Sequence, residues 1–127
     1  MGAHDRFGGI LGTDQYQLAM AQVYWKEGLA DRPAQFDYFF RHYPDYGNHQ
    51  AGYCITAGLG WLLTWMEEVR FEQEDLDLMA SQRTSSGRPR FDSGFLEWLS
   101  ENGNLSAVEV DAIPEGRVVH ANAPVAT

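Results

Sequence analysis

The sequence predicts an α/β fold, and three observations predict it. Apolar residues recur at helical spacing in four separate segments. Other segments alternate apolar and polar residues with period two, as half-buried strands do. Clusters of Gly, Pro, Asn and Asp fall between the two kinds. At 127 residues the chain is long enough for one domain with a real core, and residues 1–127 are read as that domain.

The first helix is expected over residues 14–27. Asp14 offers an N-cap side chain, and Gln17 three residues on fits a capping box. Tyr16, Met20, Val23 and Tyr24 share a face that reads as packing, with Leu18, Ala21 and Trp25 adjoining it. Gly28 follows as a natural stop. After Pro33, residues 34–40 read as a strand with Phe36, Tyr38 and Phe40 on one side and Gln35, Asp37 and Phe39 on the other. Residues 43–50, with Pro44, Gly47 and Asn48, form a loop.

Residues 53–56 are a short apolar stretch, and Gly58 leads into a helix over 59–69 with Leu59, Leu62, Leu63 and Met66 on a face. A third helix spans 72–80, with Leu76 and Met79 inward. The polar residues 82–90 hold Arg83, Arg88 and Arg90 and read as an exposed loop. Asp92 caps a fourth helix over 93–101, where Phe91 and Leu96 are placed for a hydrophobic staple and Phe95, Trp98 and Leu99 face inward. Strands follow at 107–113 and 117–120, joined by the Pro114-Glu115-Gly116 turn. After a second turn at 121–124, Val125 reads as the opening of a further strand, so the chain is expected to be cut rather than finished.

The net charge is −9, from 9 basic and 18 acidic residues. A surface of that sign repels nucleic acid and anionic lipid, which removes both as partners of the whole surface. Lys26 is the one lysine and the other basic residues are Arg, whose planar guanidinium suits bidentate phosphate or carboxylate contacts. Genomic base composition explains that bias equally well. Aromatics make up 13% of the chain and crowd between Tyr16 and Tyr53, which points to an aromatic core or to a surface that something else covers. Cys54 is the single cysteine, so no internal disulfide can form. Residues 1–12 lack the apolar stretch and basic flank of a signal peptide. No run approaches the roughly 20 apolar residues that cross a bilayer. A cytoplasmic location is the default expectation.

The spacings of the P-loop, the dinucleotide fingerprint and the nucleophile elbow are absent, and Gly58-Leu59-Gly60 is a bare GxG. His4, His42, His49 and His120 lack metal-ligand spacing and read as surface or strand-end residues, and Cys54 as a small core residue. No catalytic or metal-binding residue is assigned. The acidic run Glu67, Glu68, Glu72, Glu74, Asp75 and Asp77 spans two helices and their link, which fits a solvated face better than a carboxylate cluster. Two positions stand out. Tyr16 lies in the first turn of a helix, beside Asp14, where a ring can stack while the helix end attracts an anion. Arg41 lies at a strand exit, where it can clamp a phosphate. Pattern alone favours plain packing for Tyr16 and a surface role for Arg41.

Four segments carry a further signal in order along the chain. They are Leu11-Gly12-Thr13-Asp14-Gln15-Tyr16-Gln17-Leu18-Ala19-Met20-Ala21, Phe36-Asp37-Tyr38-Phe39-Phe40-Arg41, Gly52-Tyr53-Cys54-Ile55-Thr56-Ala57-Gly58-Leu59, and Ile113-Pro114-Glu115-Gly116-Arg117-Val118-Val119-His120-Ala121-Asn122-Ala123-Pro124. Together they resemble the N-terminal portion of nicotinate phosphoribosyltransferases.

The resemblance implies an α+β-like N-terminal domain of a type II phosphoribosyltransferase: helices with a mostly antiparallel sheet, the barrel domain being absent. The family forms nicotinate mononucleotide from nicotinate and phosphoribosyl pyrophosphate, coupled to ATP hydrolysis, in NAD biosynthesis. ATP and Mg2+ then belong to the full-length enzyme, and none is expected on this chain alone. The remaining expected partner is the C-terminal barrel domain, in a homodimer. Most catalytic groups lie in that missing portion, so the isolated chain is expected to be inactive. Three residues carry over as substrate-binding: Tyr16 stacking on the pyridine ring across the dimer interface, Asp14 holding the turn or shaping the pocket, and Arg41 contacting substrate phosphates. Gln15 departs from the family pattern, as do the loop after Arg41 and the loop at 84–89. The alternative is a non-catalytic interaction or regulatory domain that keeps the fold.

Overall fold

The computed structural model describes residues 9–127. The reading of His4 lies outside them, as does most of the segment read for a signal peptide. The described chain holds four helices and a two-stranded antiparallel sheet: α1 (Gln15–Lys26), β1 (Cys54–Ile55), α2 (Leu59–Glu68), α3 (Gln73–Ser81), α4 (Ser93–Asn102) and β2 (Val118–Val119). The contacts divide it into two compact units, Met1–Arg32 with Trp65–Ala107 and Pro33–Thr64 with Val108–Thr127.

The first unit is built on the α3–α4 pair. Leu76 and Met79 of α3 and Phe91, Phe95 and Leu99 from α4 and its approach form its buried cluster. Phe91 precedes the N-cap Asp92, and Leu96 packs on the same cluster, as a staple requires. The Asp92 carboxylate accepts from Gly94 N–H at 2.9 Å. At the other end of α4, a Cβ on Gly103 would lie 2.4 Å from the Phe71 ring and 2.5 Å from Leu99 O. Phe71 N–H donates to Gly103 O at 3.0 Å, so only glycine lets the two chains approach this closely.

Helix α1 joins this unit by a different face from the expected one. Met20, Val23 and Tyr24 are exposed, while Leu18 and Trp25 pack against the core. The half-buried stripe is Leu18, Gln22, Trp25 and Leu29, a true helical spacing with a polar residue in its middle. That glutamine is used: Gln22 Oε1 accepts from Asp92 N–H at 2.6 Å, and its Nε2 donates to Arg90 O at 3.3 Å. The helix ends as expected at Gly28, with φ 67°. There Gly28 N–H reaches Trp25 O and Leu29 N–H reaches Tyr24 O, the paired bonds of a Schellman motif.

One other expectation in this unit is corrected. Asp75 is buried, because its Oδ2 turns back to accept Glu72 N–H at 3.0 Å, whereas Glu67, Glu68, Glu72, Glu74 and Asp77 are exposed. Residues 82–90 are the mostly exposed loop expected, closed by a bridge between Arg83 and Pro89 and by Arg90 N–H on Gln82 O.

In the second unit β1 pairs with β2, Cys54 opposite Val119 and Ile55 opposite Val118. The expected strands at 34–40 and 107–113 shrink to single bridges. Tyr38 and Ala112 each bridge Ala126, which lies between them, and both contacts are antiparallel. With one short partner, the 34–40 segment is bridged at Tyr38 alone among the described residues, and Phe36 is 80% exposed. The 43–50 loop closes on itself through the Asp45–Gln50 bridge and Gly47 N–H on Asp45 Oδ1.

Two consequences are measurable. Phe95 is fully buried, so Phe95→Ala should lower the unfolding free energy of the chain by about 3–5 kcal/mol in denaturant titration. Asp92 is held below the ordinary carboxylate value of 3.8, first by Gly94 N–H and then by Lys26. A depressed carboxyl stabilises the fold above its unfolded pKa and loses that contribution as pH falls through the folded one. Asp92→Ala should therefore melt lower than the parent at neutral pH, with the gap in melting temperature narrowing below pH 3.8.

Candidate functional site

The helix start at residues 13–17 belongs to the first unit. Asp14 has extended backbone angles, φ −72° and ψ 139°, and serves as N-cap through its main chain, with Gln17 N–H on Asp14 O at 2.9 Å. Its side chain makes no capping bond, so the expected capping box is absent. The Gln17 amide oxygen instead accepts from the Thr13 hydroxyl one turn back. The Asp14 carboxylate stays exposed beside the helix end, on the rim of a shallow depression formed by Leu11, Gly12, Thr13, Asp14 and Gln17.

Tyr16 stands next to it, 61% exposed. Its ring does not pack into this unit's core, because α1 turns its Leu18–Trp25 side there. An exposed aromatic ring beside uncapped backbone N–H groups can take a flat ring on its face and an anion at the helix end.

Gln15, the departure beside Tyr16, has a structural use. Its amide donates to the Gln82 side chain, at the end of α3.

Arg41 belongs to the second unit, so the three candidates fall in two units. Its side chain is exposed and makes no hydrogen bond or ion pair among the described residues. Its backbone is fixed on both sides. Phe40 O accepts from Asn122 N–H at 2.8 Å, and Tyr43 Oη lies 3.1 Å from His120 Nδ1 and accepts from Ala121 N–H at 3.2 Å.

Glu115 explains the GxG. Its carboxylate accepts from Gly58 N–H at 2.6 Å and from Gly60 N–H at 3.4 Å. The start of α2 thus carries an anion of the chain's own, which leaves no reason to place a nucleotide phosphate there. Thr56 holds the same turn from the other side, donating to Pro114 O at 2.7 Å and accepting from Arg117 N–H at 3.1 Å.

Also in this unit is an apolar cavity of about 600 Å³, lined by Tyr38, Phe40, Cys54, Ile55, Leu62 and Val119 among others. Cys54 is partly buried on its wall rather than deep in a core. Among the described residues no three of His, Cys, Asp and Glu converge as metal ligands, and no helix is long and apolar enough to cross a membrane.

Sequence reasoning missed Gln22, Tyr43, Glu115 and His120. Gln22 was legible as the polar member of the 18–22–25–29 stripe, and Glu115 as the acidic residue of a turn. Nothing in local spacing pairs Tyr43 with His120, which lie 77 positions apart.

Comparison with known proteins bears on all of these residues. Residues 11–127 match the family model described as the nicotinate phosphoribosyltransferase N-terminal domain. A nicotinate phosphoribosyltransferase of Caenorhabditis elegans is 35% identical over the whole chain, which covers 21% of that protein. One of Mycobacterium tuberculosis is 36% identical over 91% of the chain and 22% of its own length. One of Rattus norvegicus is 34% identical over 88% of the chain and 19% of its own length. The chain therefore spans about a fifth of the length of these relatives. An ordered match over nearly all of the chain shows that it belongs to the nicotinate phosphoribosyltransferase family, through the family's N-terminal domain.

Proposed function

We propose that this chain is the N-terminal part of an enzyme that joins nicotinate to the ribosyl carbon of phosphoribosyl pyrophosphate in NAD biosynthesis, with ATP hydrolysis coupled to the step. Its contribution is to bind and orient substrate. The observation that carries this reading is Tyr16, 61% exposed in the first turn of a helix whose N-cap side chain makes no capping bond.

In this reading the Tyr16 ring stacks on the pyridine ring and removes one of its faces from water. Asp14 shapes the wall beside it. Arg41, exposed and without a partner among the described residues, meets a phosphate of the second substrate. Displacement of pyrophosphate from an anomeric carbon passes through an oxocarbenium-like state. That chemistry depends on holding the ring nitrogen in line and on neutralising a departing polyanion. An aromatic platform and an arginine supply part of both tasks. The remaining groups lie in the rest of the complete protein, a barrel domain within a homodimer that works in the cytoplasm. ATP and Mg2+ belong to that part in this reading.

Three outcomes follow. The 127-residue chain, given nicotinate, phosphoribosyl pyrophosphate, ATP and magnesium, should show no nicotinate mononucleotide by chromatography; turnover would overturn the division of labour. In the complete enzyme carrying this segment, Tyr16→Ala should raise the KM for nicotinate about tenfold, the size of a lost aromatic stack, while Tyr16→Phe stays near the parent. An unchanged KM in Tyr16→Ala would remove Tyr16 from the site. Arg41→Ala should instead raise the KM for phosphoribosyl pyrophosphate. Unchanged kinetics in both alanine variants would favour a non-catalytic interaction domain.

A further inference from the structure

We infer that Tyr43 is a positioning residue for Arg41, and that the turn at residues 120–122 is the anchor through which it acts. The inference rests on the proposed phosphate contact of Arg41. It adds which residues aim that arginine.

An arginine on an extended exit segment has a long, mobile side chain, so its value to a phosphate depends on how firmly its backbone is held. Here the backbone is held on both sides. One residue before Arg41, Phe40 O accepts from Asn122 N–H at 2.8 Å. Two residues after it, the Tyr43 hydroxyl accepts from Ala121 N–H at 3.2 Å and lies 3.1 Å from His120 Nδ1. A phenol has one proton. With the oxygen accepting from Ala121, that proton is free to be donated to Nδ1, which accepts it when His120 carries its own proton on Nε2. Three successive residues of one turn therefore grip the two flanks of Arg41.

The turn is shaped for this grip. Asn122 adopts φ 61°, a left-handed conformation that asparagine tolerates better than most residues. That conformation brings its N–H to Phe40 O while Ala121 N–H faces Tyr43. The Tyr43 ring also packs edge-on against Phe40, with centroids 5.7 Å apart and planes at 69°. Ring packing and hydroxyl bonding are separable, because Tyr43→Phe keeps the first and removes the second.

The alternative is that the hydroxyl merely closes a surface loop. The two roles differ in what a variant changes. Loss of a loop tether with no link to Arg41 lowers stability or affects both substrates alike. Loss of aim affects only the substrate that Arg41 meets.

The test is a double-mutant cycle in the complete enzyme carrying this segment. Tyr43→Phe should raise the KM for phosphoribosyl pyrophosphate roughly fivefold, the worth of a lost hydrogen bond, with kcat and the KM for nicotinate near the parent. His120→Ala should act in the same direction. In an Arg41→Ala background, Tyr43→Phe should have no further effect, because there is no guanidinium left to aim. Three results would overturn the inference: an unchanged KM in Tyr43→Phe while Arg41→Ala is impaired, equal losses for both substrates, or full additivity in the double variant. An Arg41→Ala enzyme with parental KM would overturn the phosphate reading itself, and the positioning role with it.

Discussion

The presentation of Tyr16 depends on how α1 is held from behind. This helix has no fully buried residue, so it is fixed through one half-buried stripe. What fixes it is a short row of contacts to the start of α4. Trp25 lies against Phe95, with ring centroids 5.7 Å apart, and a Cβ on Gly94 would come within 3.2 Å of the Trp25 ring. The Gln22 amide spans Asp92 N–H and Arg90 O. Lys26 reaches the Asp92 carboxylate at 3.3 Å, but both side chains are more than two-fifths exposed, so this ion pair adds little. The ring contact and the glutamine carry the orientation. Once they turn Leu18, Gln22 and Trp25 inward, helical geometry leaves Tyr16, Met20, Val23 and Tyr24 outside.

The helices were legible in the sequence because each carries its own signal. Asp92, Phe91 and Leu96 announce α4, and Gly28 stops α1 by a local hydrogen-bond pattern. The sheet was less legible for a physical reason. Alternation at 34–40 and 107–113 reports a backbone suited to pairing, but a strand exists only where a neighbour runs beside it, and Ala126 is the only residue that bridges either segment. The inward face of α1 was misread because apolar periodicity takes Gln22 for a solvent residue. Its two amide groups are satisfied by the backbone of residues 90–92, which makes a half-buried position acceptable to it.

The candidate site was legible to a different extent. Residue pattern named Tyr16 and Arg41 yet favoured bland roles for both. The resemblance of the ordered segments made both expected substrate contacts, and the fold adds that both side chains are exposed. Asp14 keeps the N-cap position through its main chain but not the expected side-chain cap. The supports of the site could not be read from spacing at all. Tyr43 and His120 meet where Asn122 N–H on Phe40 O and the Tyr38–Ala126 bridge hold residues 120–126 beside the end of the 34–40 segment.

The four helix starts make the final point about why Tyr16 matters. Every helix begins with unpaired N–H groups and a partial positive charge. In α4 the Asp92 carboxylate answers them. In α2 the answer comes from Glu115, 57 residues beyond Gly58, and in α3 the first turn carries Glu74 and Asp75, the latter folded back onto Glu72 N–H. The first turn of α1 has no acidic residue, and its N-cap carboxylate makes no bond to it. A chain with a net charge of −9 has ample carboxylates to close this end. It leaves the end open instead, directly beside an exposed aromatic ring. That pairing suits a ligand that is both flat and anionic. The rest of the first unit, from the Phe95 core to the Gln22 bridge, serves to hold that combination in place.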